Sequence, residues 1–351
     1  VANTTLNTGS AALTVNTTVN GGFTLTLNST DATTFAGIIG GSTPLTAITT
    51  NSGGTVVFNT TAITSSGGQT YGENATIGAN ITFTTGGNNL TFSGTVNSVS
   101  STKTLDIVAG AGNTTFSGTV GGSEALGNTT IGTAVLTAGA IKVQGTLAIT
   151  NSAESEIDGV ISDGDSAAIL TKAGSAKLIL SGNNTFTGAV TVNAGRLHIT
   201  HANGLGATDG ATTVADGARL NINGGLTIAE AITINGTGDS SKGALHFNGG
   251  NNTVSGNITL GADAKIHSST GTQTISGTIN GEHALTITGT DNFTISGIVG
   301  GSAALDSVAA TITNSGTFTV GANITTSGNQ TYTAAGGIVT SGARTFTSNS
   351  G

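Results

Sequence analysis

The chain of 351 residues has no cysteine, methionine or tryptophan, and a single proline. Without cysteine there is no disulfide framework and no thiolate metal site. Only 7% of residues are charged and 4% are aromatic. A globular enzyme of this length would carry about 25% charged residues. It would also show clear helical patterning, which is missing; the segment 207–218 is too rich in Gly and Thr. The net charge of −8 is thinly spread. That argues against nucleic acid, whose binding needs clustered Lys and Arg. No apolar run approaches the ~20 residues of a membrane-spanning helix. The opening VANTTLNTGS has neither a basic n-region nor an apolar h-region.

What is abundant is Gly, Thr, Asn, Ser and Ala, with 57 Gly in all. A chain poor in charge and in large apolar residues can be disordered. Disorder is excluded here because β-branched residues and Leu recur in short alternating runs along the whole length. Such runs suit a thin, stacked core better than one round core. The pattern is that of half-buried strands, with apolar residues alternating with Thr, Asn or His. It is clear in Phe23-Thr24-Leu25-Thr26-Leu27, Leu226-Thr227-Ile228, Ile232-Thr233-Ile234, Leu245-His246-Phe247 and Leu285-Thr286-Ile287.

Repeats set the length scale. An apolar-Ser-Gly motif ends at Gly94, Gly118, Gly182, Gly256, Gly277 and Gly297, and the copies that follow one another most closely (94 and 118; 256, 277 and 297) are 20–24 residues apart. That is the length of one three-sided coil of short strands and corners. A longer unit is superimposed. Phe35-Ala36-Gly37-Ile38-Ile39-Gly40-Gly41-Ser42 recurs at 116–123 and 295–302, and each copy is followed by a leucine: Leu45, Leu126 and Leu305. Gln69-Thr70-Tyr71 recurs as Gln330-Thr331-Tyr332. The unit starting near Asp291 is still running at Gly351. The expectation is one continuous solenoid over 1–351, a stretch of a longer repeat protein or a filament subunit whose ends neighbours cover.

The segment 170–199 compresses this grammar. Strand-like runs at 177–180, 189–192 and 196–199 are separated by Gly174, Gly182, Gly188 and Gly195. Leu178, Leu180, Val192, Leu197 and Ile199 are expected in the core. The segment resembles the autotransporter-associated β-strand repeat, or passenger-associated transport repeat, of bacterial secreted proteins. The resemblance rests on Leu170-Thr171-Lys172, Gly174, Leu178, Leu180-Ser181-Gly182, Asn184-Thr185-Phe186-Thr187-Gly188, Thr191-Val192-Asn193 and Gly195. That family usually has Tyr at the position of Phe186 and Gly at that of Ala176. The rest of the chain shares the style rather than the motif.

Candidate chemistry is sparse. Glu154, Glu156, Asp158, Asp163 and Asp165 form the densest charge. They suggest a calcium site, with Asp158, Asp163 and Asp165 as the metal candidates, or carboxylates for sugar cleavage. The competing reading is solvent-facing corner residues, since no calcium-binding glycine repeat is present. Arg196, His198 and His201 make a small basic spot; alternation sends Arg196 and His198 outward, onto a solvated face. His246, His267 and His283 read as single outward or corner positions. The Gly-rich run 248–252 precedes a strand and lacks the P-loop Lys-Ser/Thr. Asn-x-Ser/Thr tripeptides, such as those at Asn3, Asn16, Asn59, Asn80 and Asn292, follow from composition.

The fold expected is all-β, a right-handed parallel β-solenoid of roughly 20–24-residue coils. The function expected is an extracellular structural or adhesive segment at the bacterial cell surface, and the resemblance implies a passenger region. Expected partners are copies of itself, head-to-tail or lateral, or a continuation of the same chain, and cell-surface or matrix polysaccharide. Neither nucleic acid nor a cofactor is expected, and no catalytic residue is assigned. The alternatives are a polysaccharide-active enzyme on the same scaffold and a carbohydrate-binding module.

Overall fold

The computed structural model describes residues 2–349. It is a parallel β-solenoid with coils of about 22 residues, and it divides into two compact units, Val1–Thr187 and Gly188–Gly351.

In the first unit, strands one coil apart pair in parallel and in register. Gln69–Tyr71 pairs with Leu90–Phe92, which pairs with Thr114–Phe116, Leu136–Ala138, Ser155–Ile157 and Lys177–Leu180 in turn. The register stacks Tyr71, Phe92, Phe116, Ala138, Ile157 and Leu180 in one buried column. Because strand side chains alternate between faces, the intervening Thr70, Thr91, Thr115 and Thr137 form an outward column. A second side stacks Phe35, Phe58 and Ile77. Phe58 lies 5.6 Å from Phe35, 4.9 Å from Tyr71 and 5.0 Å from Phe83, ring centre to ring centre.

The second unit is built the same way. Leu197, Leu220, Leu245, Ile266, Ile287 and Ala310 form one inward column. Ile228, Val254, Ile275, Ile295 and Val320 form another. One 3-10 turn, Asp239–Ser241, interrupts the strands.

The repeats seen in sequence have specific mechanical meanings. At each apolar-Ser-Gly corner the glycine lies directly over the backbone of the coil below. A Cβ on Gly182 would meet the carbonyl oxygen of Gly159 far inside van der Waals contact, and Gly118 stands over Gly94 in the same way. In the longer unit, Gly40, Gly121 and Gly300 adopt φ of 72°, 72° and 70°, and Leu45, Leu126 and Leu305 are fully buried. The two Gln-Thr-Tyr copies build one network twice. Gln69 Nε2 donates to Ser65 Oγ (3.0 Å) and the Thr84 carbonyl (2.9 Å), and Tyr71 OH donates to Gln69 Oε1 (2.9 Å). Gln330 Nε2 donates to Thr326 Oγ1 and the Thr347 carbonyl, and Tyr332 OH to Gln330 Oε1.

Asparagine has a second, recurrent task at the corners. Its side-chain oxygen accepts the backbone N–H of the next coil: Asn3 from Thr24, Asn80 from Thr104, Asn89 from Asn113, Asn257 from Thr278, Asn292 from Thr317. Corner N–H groups that no strand partner reaches are satisfied this way. Three of the Asn-x-Ser/Thr asparagines singled out above thus have a structural role.

All five core residues expected within 170–199 are fully buried. Lys172 is also inside, in register with Ile149. Its Nζ donates to the carbonyls of Ala173 and Gly174 (2.9 Å to the latter). Burial pulls its pKa down to about 8. Glu73 and Glu230 are buried too, each accepting a threonine hydroxyl, from Thr50 and Thr212 respectively. Burial raises both, Glu230 to about 7.

Candidate functional site

Of the acidic residues flagged in sequence, Glu154, Glu156 and Asp158 line one groove, while Asp163 and Asp165 make separate hydrogen bonds. Glu154 pairs with Lys177 Nζ at 3.0 Å. Glu156 Oε1 accepts the Ser181 hydroxyl (3.1 Å). Asp163 caps backbone: it accepts the N–H of Ala168 (2.7 Å) and both the N–H and hydroxyl of Thr187. Asp165 Oδ2 accepts the Ser101 hydroxyl (3.0 Å), and its own N–H donates to Gln144 Oε1. Asp158 lines a shallow groove of about 220 Å³ with Glu154 and Glu156. Among the described residues no three His, Asp or Glu side chains converge on a position that would hold a metal ion.

The polar face that does assemble lies on the second unit, and it was not legible as such. Coil stacking places Arg196 beside Arg219 and, one strand position pair along, aligns His198, Asn221, His246, His267 and Thr288. These side chains point away from the core, as alternation requires. The expectation of a solvated face is nevertheless wrong at its centre, where His198, Arg219, Asn221 and His246 are buried. The reason is the loop 236–243. Its Asp239 carboxylate lies 2.9 Å from Arg196 Nε and 3.4 Å from Arg219 Nη2. Its Asp239 carbonyl accepts Arg219 Nη1 at 3.2 Å. Two arginines clasped on one carboxylate hold the loop over the strands.

Beneath it the histidines form a hydrogen-bonded row. His246 Nδ1 is 3.2 Å from Asn221 Oδ1 and its Nε2 is 2.8 Å from Ser269 Oγ. His267 Nδ1 is 2.8 Å from Thr288 Oγ1, and the two imidazole rings are 5.2 Å apart. Burial lowers the pKa of His246 to about 3, reinforced by Arg219, His267, Lys242 and His198. Burial lowers His267 to about 4, reinforced by Lys242, Lys265 and Arg219. Both rings are therefore neutral near pH 7, with His246 Nδ1–H donating to Asn221. Every charge acting on these rings is cationic. On a chain of net charge −8, this face sets Arg196, Arg219, Lys242 and Lys265 against the Asp239 carboxylate.

Arg219, Lys242 and Lys265 escaped sequence reasoning because they follow one another at about one coil each, and Asn221 because it stands beside Arg219 on the same strand. The signal was the coil period itself: Arg196 to Arg219, and His246 to His267, are each one coil step.

The residues of the 170–199 motif also find their explanation. Gly174 has φ 76° and stands over the backbone of Asn151. Asn184 Oδ1 accepts the Ile161 N–H at 2.8 Å, and Phe186 is fully buried. No solved structure matches the chain. The Adhesin BmaC autotransporter of Brucella suis biovar 1 (strain 1330) is 37% identical over 100 residues, which is 27% of this chain and 3% of that protein. The chain thus spans a small fraction of the relative's length. Residues 170–199 match the model of the passenger-associated-transport-repeat family, so the similarity to autotransporter passenger repeats falls on this part of the solenoid.

Proposed function

We propose that this chain is an adhesive segment of a bacterial surface protein, carried outside the cell as part of an autotransporter passenger region. The observation that carries the reading is a passenger repeat at 170–199 set within a β-solenoid, alongside similarity to a protein named as an adhesin. The mechanism is repetition: each coil buries its apolar columns against the next, and the outward columns present long, regular faces. A non-enzymatic role is supported by the separate hydrogen-bonding and ion-pair duties of Glu154, Glu156, Asp163 and Asp165. End-to-end or lateral association of coils with copies of the chain belongs to the same reading.

Beads coated with the purified chain test this directly. They are expected to be retained on cell and matrix surfaces several-fold above beads coated with an unrelated β-protein. Retention equal to that control would reject the adhesive reading. Light scattering on the same preparation tests association; a monodisperse monomer would remove the self-assembly part alone.

A further inference from the structure

We propose that the basic face of the second unit is a binding surface for an acidic polysaccharide, recognised through its carboxylate or sulfate groups. This deepens the adhesive reading and rests on it for its biological setting.

The argument starts from charge distribution. The chain has nine Lys and Arg in all, yet Arg196, Arg219, Lys242 and Lys265 meet on one face around the neutral rings of His246 and His267. Asp239 offsets part of this charge through the two arginines. The nearest other acid in sequence, Asp263, stands two residues before Lys265 on the same strand, is 77% exposed, and lies 3.9 Å from His283 Nδ1. Neither carboxylate is among the groups acting on His246 or His267. The face combines a dry floor with a wet rim. Arg219 and His246 are buried, His267 and Lys265 are half-buried, Lys242 is exposed, and Arg196 keeps 41% of its side chain accessible. An anion placed over half-desolvated cations is held more strongly than one over fully hydrated ones.

The arrangement favours a polymer over a lone anion. Arg196, Arg219, Ala244 and Lys265 occupy equivalent positions on successive coils ~4.8 Å apart, and the accessible cations of this row, Arg196 and Lys265, stand at its two ends with the buried Arg219 between them. A chain with an anionic group on each unit can meet cations on more than one coil. The hydroxyls of Ser269 and Thr288, at the edge of this face, supply neutral hydrogen-bonding groups that a sugar requires. Nucleic acid fits less well. Single strands bind by base stacking on aromatic side chains, and no Phe or Tyr belongs to these outward columns.

Surface binding to polygalacturonate (carboxylate) and to heparin (sulfate), with dextran as the neutral probe, tests the proposal. The intact chain should bind one or both polyanions at low salt, bind dextran negligibly, and lose most polyanion binding in 0.5 M salt by screening. The variant K242E/K265E should bind at least tenfold more weakly with an unchanged melting temperature. The variant K103E/K142E, equal in charge but in the first unit, should bind like the parent chain. Absence of binding to both polyanions, equal binding by K242E/K265E, or an equal loss in K103E/K142E would each overturn the proposal. Bead retention measured in parallel separates the two readings. Retention without polyanion binding overturns this proposal alone. Polyanion binding without retention overturns the adhesive reading and leaves the site standing.

Discussion

Replacement of Gly182 by alanine is expected to destabilise the coils around it by about 3 kcal/mol, the range of substitutions that force backbone out of place. The added methyl would occupy the space of the Gly159 carbonyl, one coil below, and also crowd the Asn184 side chain. Neither Ser181 nor the corner can move freely, because the Ser181 N–H donates to the Ile157 carbonyl and Leu180 is locked in the core column. A solenoid is stabilised by nearest-neighbour interfaces, so the loss should appear in the coils on both sides of the corner. Urea unfolding followed by amide exchange measures it. Gly139→Ala is the matched comparison. Its Cβ would meet nothing closer than Asp158 Oδ1 at 3.8 Å, and a change within about 0.5 kcal/mol is expected there. Equal effects at the two glycines would show that close stacking is not what the motif encodes.

Phe58→Ala should cost about 4 kcal/mol, within the range for large-to-small aromatic substitutions in cores. The ring is fully buried, stacked on Phe35 at an interplanar angle of 10°, and edge-on to Tyr71 and Phe83. The chain has eleven Phe and two Tyr, and this cluster draws in Phe35, Phe58, Tyr71, Phe83, Phe92 and Phe116. A core this thin has little other apolar mass to collapse into the space vacated. The measurement is the unfolding free energy of the variant, with Phe58→Leu expected to recover a large part of the loss. A cost below about 1 kcal/mol for Phe58→Ala would mean that the aromatic column does not anchor these coils.

The solenoid was legible in sequence because its information is local and periodic. Alternation assigned Leu178, Leu180, Val192, Leu197 and Ile199 to the core, and all are buried. The recurring Ser-Gly marked corners where only a hydrogen fits. The strand expected at 189–192 begins one residue later, at Val190, because Ala189 still belongs to the corner. What alternation could not reveal is what covers an outward face. His198 and His246 alternate outward yet are buried, because Asp239 brings the loop 236–243 back across their strands. Lys172 inverts the usual inference from residue type. It takes an inward position and satisfies its ammonium on the carbonyls of Ala173 and Gly174. Tyr71, visible in sequence only as part of a repeated Gln-Thr-Tyr motif, is buried with its hydroxyl bonded to Gln69. The acidic residues look concentrated in sequence because they follow one another along a coil. In space, strand direction and corner geometry separate their tasks.

The central claim is that coils stack in parallel register, so that residues one period apart become neighbours on continuous outward faces. The absence of cysteine allows a direct measurement by disulfide trapping. Thr70 and Thr91 are in-register partners on an outward face. Neighbouring parallel strands bring such pairs to ~5 Å, inside the ~7 Å Cα limit for a disulfide. Thr70 and Ser93 are offset by two residues and lie about 8 Å apart by the same geometry. Mild oxidation of T70C/T91C should therefore close an intrachain disulfide rapidly and nearly completely, while T70C/S93C stays reduced. Failure of the first pair to close, or equal closure of both, would contradict the stacking register on which the fold, the basic face and the proposed adhesive surface all depend.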